Sequence, residues 1–193
     1  MIKTVTVFCA SSTRVPQKYI DATNKVGMEL SRHGIGVFYG AGAVGLMGTL
    51  ADTILSNNGK ATGIIPHFMK ELEWAHNNLS DLIVVDNMPL RKQMLIDSGD
   101  AVLALPGGCG TLDELLEVIT LKQLGQYKNP IVILNSDGFY NSLIDMLDKM
   151  VEENFMRDTH RKIWTLVQHP EEIVPALQQA PKWDPDMIKM AQI

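Results

Sequence analysis

Short, nearly continuous apolar runs rich in β-branched residues alternate along the chain with longer segments whose apolar residues recur at helical spacing. The first pattern predicts strands over Thr4–Cys9, Gly36–Tyr39, Ala61–Ile65, Leu82–Val85, Ala101–Leu105 and Ile131–Leu134, with a weaker one at Trp164–Val167. Such runs fit strands covered on both faces, where no position alternates toward water. The second pattern predicts helices over Gln17–His33, Val44–Asn57, Leu90–Gly99, Thr111–Leu124 and Tyr140–Glu153; Leu112, Leu115, Leu116 and Ile119 form one such stripe.

Strands that alternate with helices imply a doubly wound α/β fold, a Rossmann-like parallel sheet with helices on both faces. No repeat or low-complexity tract divides the 193 residues, so residues 1–180 are expected to form a single domain. The stretch from Pro181 to Ile193 carries two prolines and a polar–apolar mixture, and reads as a tail or a subunit-contact segment. Sheets of this kind bind ligands outside the carboxyl ends of their strands, which directs attention to the loops that follow them.

Charge and cysteine usage narrow the function. A net charge of −5 provides no basic surface for nucleic acid, while a nucleotide needs only a few local donors. Two cysteines, Cys9 and Cys109, are too few for a disulfide framework and fit a reducing compartment. No apolar run reaches the length of a membrane span, and the first residues lack a signal peptide's apolar core, so the expectation is a cytoplasmic protein with no membrane partner.

Two glycine loops follow strands. In the first, YGAGAVGLMG from Tyr39, the residues Gly40, Gly42 and Gly45 spell G-x-G-x-x-G. A nicotinamide site would place an acid about 20 residues on, at the end of the next strand. That strand ends Gly63–Ile64–Ile65–Pro66–His67, with no acid between Asp52 and Glu71. Tight helix–sheet packing with some ligand contact, at Gly42 for example, is the better reading. In the second loop, LPGGCGTLDELLEVI from Leu105, the residues Gly107, Gly108 and Gly110 let backbone approach a ligand and supply positive φ where needed. A helix beginning at Thr111 would present unpaired N–H groups and its positive dipole end to an anion. Thr111 and Glu114 also have the spacing of a capping box, so from local sequence Glu114 is equally a helix cap or a carboxylate held at the mouth of a crevice.

PGGCGTLDE, Pro106 to Glu114, resembles the PGGxGTxxE signature of the LOG ("Lonely Guy") family, cytokinin riboside 5′-monophosphate phosphoribohydrolases also labelled possible lysine decarboxylases. The resemblance runs from about Val7 to about Leu177. It includes FCASS from Phe8, YGAGAVGLMG, GIIP, the M-x-x-R-K block ending in Arg91 and Lys92, ELLEVITLKQLG, and the stretch from Asn129 to Phe155. It implies hydrolysis of the N-glycosidic bond of a nucleoside 5′-monophosphate to free base and ribose 5-phosphate, without metal or other cofactor. Glu114 and Arg91 match the family's catalytic pair. A carboxylate suits the positive charge that develops on the ribose carbon, by analogy with glycoside hydrolysis, while an Arg suits phosphate or a departing anionic base. Gly107, Gly108, Gly110 and Thr111 would take the 5′-phosphate, and Ser11, Gly42 and Glu117 further parts of the substrate, with Lys92 an outer contact. Glu71 or Glu73 would add an acid on the base side. The family is usually dimeric with its site near the subunit contact, so a homodimer is expected.

The chain departs from the family pattern at Ala41, which replaces a glycine, at Pro89, where a His is frequent, and at Cys109, often aromatic in relatives. His67 and His76 lack the paired spacing of a metal site and read as surface residues. Two other functions compete with hydrolysis. A non-catalytic nucleotide- or cofactor-binding protein, similar to molybdenum-cofactor carriers, would share the glycine loops without needing both Glu114 and Arg91. A decarboxylase would need a Schiff-base lysine in a suitable context, which the sequence does not offer.

Overall fold

The aliphatic runs pair as parallel strands in the computed structural model, which describes residues 1–72, 74–181 and 183. The strands are β1 (Thr4–Phe8), β2 (Gly36–Tyr39), β3 (Ala61–Pro66), β4 (Asp81–Val85), β5 (Val102–Ala104), β6 (Ile131–Leu134) and β7 (Thr165–Val167). They form one sheet of order β4-β3-β2-β1-β5-β6-β7. β1 pairs with β2 on one side, with Val7 beside Tyr39, and with β5 on the other, with Phe8 beside Ala104. The chain therefore builds outward from β1 to β4, then returns across the sheet to β5. That reversal opens a crevice at the carboxyl ends of β1 and β5, the place where such sheets bind ligands.

The helices are α1 (Gln17–Arg32), α2 (Gly45–Ser56), α3 (His67–Glu71), α4 (Met88–Ser98), α5 (Cys109–Gln123), α6 (Asn141–Glu152) and α7 (Ile173–Gln179). Helices cover both faces of the sheet, α1, α2 and α7 on one and α4 and α5 on the other, and the two main apolar clusters follow that division. Val26 and Leu30 of α1, Leu46, Leu50 and Ile54 of α2, and Val174 and Leu177 of α7 pack on Val5, Val7 and Leu103. Leu95 and Ile96 of α4, with Leu115, Val118 and Ile119 of α5, pack on Phe8, Val102 and Ala104. Consecutive strand residues thus feed both cores, which is why the runs are apolar without interruption. A fully buried Leu such as Leu115 contributes about 2 kcal/mol. The buried Thr6 hydroxyl meets its need by donating to the carbonyl of Leu95 at 2.6 Å, which ties β1 to α4.

Several boundaries differ from the sequence reading for identifiable reasons. α4 begins at Met88, two residues early, because Asn87 caps it: its Oδ1 accepts from the Leu90 N–H at 3.0 Å. Pro89 fits in the first turn, where its missing N–H removes no helical bond. α7, seven residues long, is not among the helices that the pattern predicts; its Pro175 also sits in a first turn. α3 is a single short turn after Pro66, too brief to show periodicity. The tail expected from Pro181 lies outside the described residues except for Pro181 and Trp183. Trp183 is buried against the apolar cluster beneath α5, its ring 5.8 Å from Lys122 Nζ.

Candidate active site

Three loops at the carboxyl ends of β1, β2 and β5 are locked together by backbone hydrogen bonds. The Ala10 N–H donates to the carbonyl of Pro106 at 3.2 Å, and the Met47 N–H donates to that of Ala10 at 3.1 Å. The turn carrying Ser11 thus lies between the two glycine loops. Gly45, at φ 64°, is pressed so closely to this turn that a Cβ would fall 2.5 Å from the Ser11 carbonyl carbon. Tyr140 braces the β5 end, its buried hydroxyl donating to the Leu105 carbonyl at 2.6 Å. Ala41 occupies the left-handed region at φ 63°, the conformation glycine adopts without a Cβ penalty. Its methyl fits because Gly63 of β3 faces it; a Cβ on Gly63 would lie 2.6 Å from the Ala41 Cβ.

Arg91, in the first turns of α4, reaches back over the end of the sheet. Its Nη1 donates to Glu114 Oε1 at 2.9 Å and its Nε to the Ile64 carbonyl at 3.1 Å. Both side chains are buried, each residue only 6 % exposed. Gly40 makes the room: a Cβ there would lie 2.0 Å from Arg91 Nη2. Burial pushes the Glu114 carboxyl above its ordinary range, Arg91 pulls it back down, and the neighbouring Asp113 adds to the rise. Glu114's charge in turn adds to the burial that raises the Cys9 thiol.

This geometry replaces the capping box. α5 starts at Cys109 with Gly108 as its N-cap and no side-chain cap, because its first helical bond runs from the Leu112 N–H to the Gly108 carbonyl at 3.0 Å. Thr111 is then the third helical residue, and Glu114 lies a turn further on, where its partner is Arg91. The N–H groups of Cys109, Gly110 and Thr111 have no partner within the helix and sit at its positive end.

None of Gly107, Gly108 and Gly110 has positive φ, so the left-handed conformation allowed for in this loop is not used. Gly107 is needed for packing, because a Cβ there would collide with the Thr111 hydroxyl at 2.0 Å. Gly108 and Gly110 face open space on the side a Cβ would occupy, as does the exposed Cys109 beside them.

Lys92 lies on the outer flank of the same helix pair. Its Nζ is 3.1 Å from Asp113 Oδ2 and 3.0 Å from Glu117 Oε2, carboxylates that raise its pKa and hold it protonated. Beside Arg91 opens a cavity of about 360 Å³ bounded by Ser11, Gly40, Gly42, Ala43 and Val44, with Met47, Ile65, Met69 and Trp74 forming its apolar walls. Of the residues singled out by sequence, Ser11, Gly42 and Arg91 meet at this cavity. The loop glycines and Thr111 sit at the α5 N-terminus, and Lys92 and Glu117 pair outside. Glu71 is exposed at the end of α3, and Glu73 lies outside the described residues. His76 is buried, contrary to the surface position expected, because Asp52 supplies a partner 2.9 Å from its Nε2. Gly40 belongs to the fingerprint that reads as tight packing with some ligand contact, and nothing local in the sequence marks Met69 or Trp74 as site residues.

Among the described residues, no group of three or more His, Cys, Asp or Glu side chains is placed to hold a metal ion, and no helix is long and apolar enough to cross a membrane.

Comparisons with known proteins bear on the whole arrangement. A family profile described as "Possible lysine decarboxylase" matches residues 47–177. A probable cytokinin riboside 5′-monophosphate phosphoribohydrolase of Oryza sativa subsp. japonica is 39% identical over 175 residues, 91% of this chain and 72% of its own length. A cytokinin riboside 5′-monophosphate phosphoribohydrolase of Arabidopsis thaliana is 39% identical over 176 residues, 91% of this chain and 83% of its own. Among solved structures, the molybdenum cofactor carrier protein of Chlamydomonas reinhardtii superposes with a TM-score of 0.71 at 16% identity, covering 93% of this chain and 98% of that one. A molybdenum cofactor binding protein of Rippkaea orientalis gives 0.69 at 17%, covering 92% and 96%. At such identities the structural likeness speaks for the Rossmann-like fold alone. The sequence matches, which take in the PGGCGTLDE block and the Arg91 block, go further: the chain belongs to the LOG family of cytokinin riboside 5′-monophosphate phosphoribohydrolases.

Proposed function

We propose that this protein hydrolyses the N-glycosidic bond of a nucleoside 5′-monophosphate, AMP or an N6-modified AMP, to free base and ribose 5-phosphate. The observation that carries the reading is the buried Arg91–Glu114 pair, set between an open helix N-terminus and an apolar cavity. In this reading the N–H groups at the start of α5, with Gly107, Gly108, Gly110 and Thr111, receive the 5′-phosphate, and the cavity lined by Ser11 and Gly42 receives the base. Anchoring both ends holds the bond to be cut and supplies rate through positioning.

As the bond between C1′ and the base nitrogen breaks, its electron pair leaves with the base and positive charge grows on the ribose. The Glu114 carboxylate stabilises that charge and takes a proton from the water whose oxygen bonds to C1′; that proton is passed on to the departing base nitrogen, directly or through solvent, which gives neutral free base and restores the carboxylate. Its raised pKa makes it a better base than an ordinary surface carboxylate. Arg91 keeps Glu114 ionised and oriented, and its remaining N–H groups favour the departing base or the phosphate. Glu117, paired with Lys92 outside the cavity, would reach the ribose only from its edge, and Lys92 is an outer contact that balances the charge of Glu117 and Asp113.

Replacement of Glu114 by Gln separates this reading from a non-catalytic nucleotide- or cofactor-binding role. Base release should fall by about 10³-fold, within the range for loss of a charge-stabilising or proton-transferring group, while monophosphate binding measured by calorimetry changes only a few-fold. Parallel loss of binding and release would identify a binding residue only. The decarboxylase description finds little support. A Schiff-base lysine must shed its proton, yet Lys92 is held charged. Lys122, lowered to about 8 by burial, donates to the Asn129 carbonyl just before β6, at the amino end of the sheet.

We further infer a homodimer through the outer face of α4 and α5, where Leu90, Met94, Leu116 and Leu124 are exposed. A cytoplasmic location fits the two free cysteines.

A further inference from the structure

The segment that runs from α3 to β4 folds back across the first glycine loop. The Ala43 N–H donates to the Trp74 carbonyl at 3.1 Å, and the His76 N–H donates to the Ala41 carbonyl at 2.8 Å. Gly42 and Ala75 face each other between these bonds as an antiparallel bridge. This two-bond ladder is extended by a side-chain contact. The ring of His76, only 8 % exposed, lies with Nε2 2.9 Å from Asp52 Oδ1 on α2, while Nδ1 accepts from the Asn78 N–H at 3.2 Å. Because Nδ1 accepts, Nε2 carries the proton and donates it to the carboxylate. Both ring nitrogens are therefore committed to holding this segment against α2.

Two residues before His76, Trp74 forms a wall of the cavity beside Arg91 and yet is 54 % exposed. A large aromatic ring left half in water at the mouth of an apolar cavity, on a backbone fixed by a ladder and a buried histidine, is built to be covered when the cavity fills.

We propose that Trp74 is the outer wall of the base subsite, stacking on the substrate's purine, and that the His76–Asp52 pair is the clasp that positions it. The proposal rests on the hydrolase reading given above and adds residues to it. Trp74 contacts substrate and sets affinity for the base; His76 and Asp52 act through it.

Steady-state kinetics of the full chain with AMP and with N6-isopentenyl-AMP test the assignment. Trp74→Ala should raise KM about tenfold, in the range for loss of one base–aromatic stack, with kcat within about twofold; Trp74→Phe should restore most of it. His76→Ala should raise KM by about three- to fivefold without a matching fall in kcat, the size of one lost hydrogen bond. His76→Gln, which keeps a donor for Asp52, should recover it. Asp52→Ala probes the clasp from an exposed carboxylate with no core to disrupt, and should reproduce the His76→Ala shift; neither should add to Trp74→Ala.

An unchanged KM in Trp74→Ala overturns the stack. So does an altered oligomeric state with KM unmoved, which would make Trp74 a subunit contact. A fall in melting temperature and kcat without a KM change in His76→Ala and Asp52→Ala overturns the clasp. Should no monophosphate be hydrolysed, the hydrolase reading fails, and Trp74 is then judged by fluorescence during AMP titration. A quench that disappears in Trp74→Phe supports the stack, and its absence in the unsubstituted protein refutes it.

Discussion

Glu114 is held where its ionisation is opposed by burial and by Asp113 and assisted by Arg91 and Lys92. Its folded pKa lies above the unfolded value, so its contribution to stability is full below the unfolded pKa and is lost as pH rises through the folded one. The melting temperature of the protein relative to Glu114→Gln should therefore fall between about pH 4.5, the ordinary value, and neutrality. If the ionised form performs the reaction, the acid limb of kcat/KM lies above that ordinary value. Asp113→Asn should move the limb to lower pH by removing a repelling charge, and Lys92→Met should move it higher by removing an attracting one. Limbs that stay in place would assign the titration to another group. Arg91→Ala leaves a buried carboxylate without its cation and should cost about 3–5 kcal/mol by chemical denaturation. The identities of these two residues were legible in PGGCGTLDE and in the Arg–Lys block, but the choice between cap and site for Glu114 was not. It turns on where α5 begins, and that is decided by Gly108, not by the Thr111–Glu114 spacing. The role of Gly40 was equally hidden, because the group it must admit, the Arg91 guanidinium, comes from a distant part of the chain.

At the scale of elements, the three glycines ahead of α5 should separate by substitution. Gly107→Ala meets the Thr111 hydroxyl and should destabilise the fold by about 1–3 kcal/mol. Gly110→Ala has open space and lies inside the helix, so thermal melting should show a gain of up to about 1 kcal/mol from helix propensity. If the phosphate sits over this turn, the same variant should raise KM severalfold, so stability and affinity move in opposite directions. A gain in stability with KM unchanged would place the phosphate elsewhere. The strands were readable because two-sided burial imposes unbroken apolar runs: β2 and β6 fall where expected and the others differ by a residue or so at their ends. α7 was not readable because Pro175 looks like a terminator until its place in a first turn is known. α3 is too short to leave a period, and the ladder from Trp74 to His76 depends on a distant glycine loop.

At the scale of the whole molecule, alternation of strands and helices indicated a doubly wound sheet but not its order. The return from β4 to β5 creates the crevice, and it brings the Ser11 turn and both glycine loops to one edge. A chain of 21.4 kDa that covers the exposed apolar face of α4 and α5 with a second copy should scatter light as a particle of twice that mass, and Leu116→Glu should reduce it to one chain. A particle of one chain's mass before substitution would contradict the dimer. The central claim, that this site cuts the bond between ribose and base, is tested most directly by product analysis after incubation with AMP and with N6-isopentenyl-AMP. The account predicts one equivalent of free base and one of ribose 5-phosphate for each monophosphate consumed, from one or both substrates. Intact nucleotide, or release of nucleoside and inorganic phosphate, would contradict it.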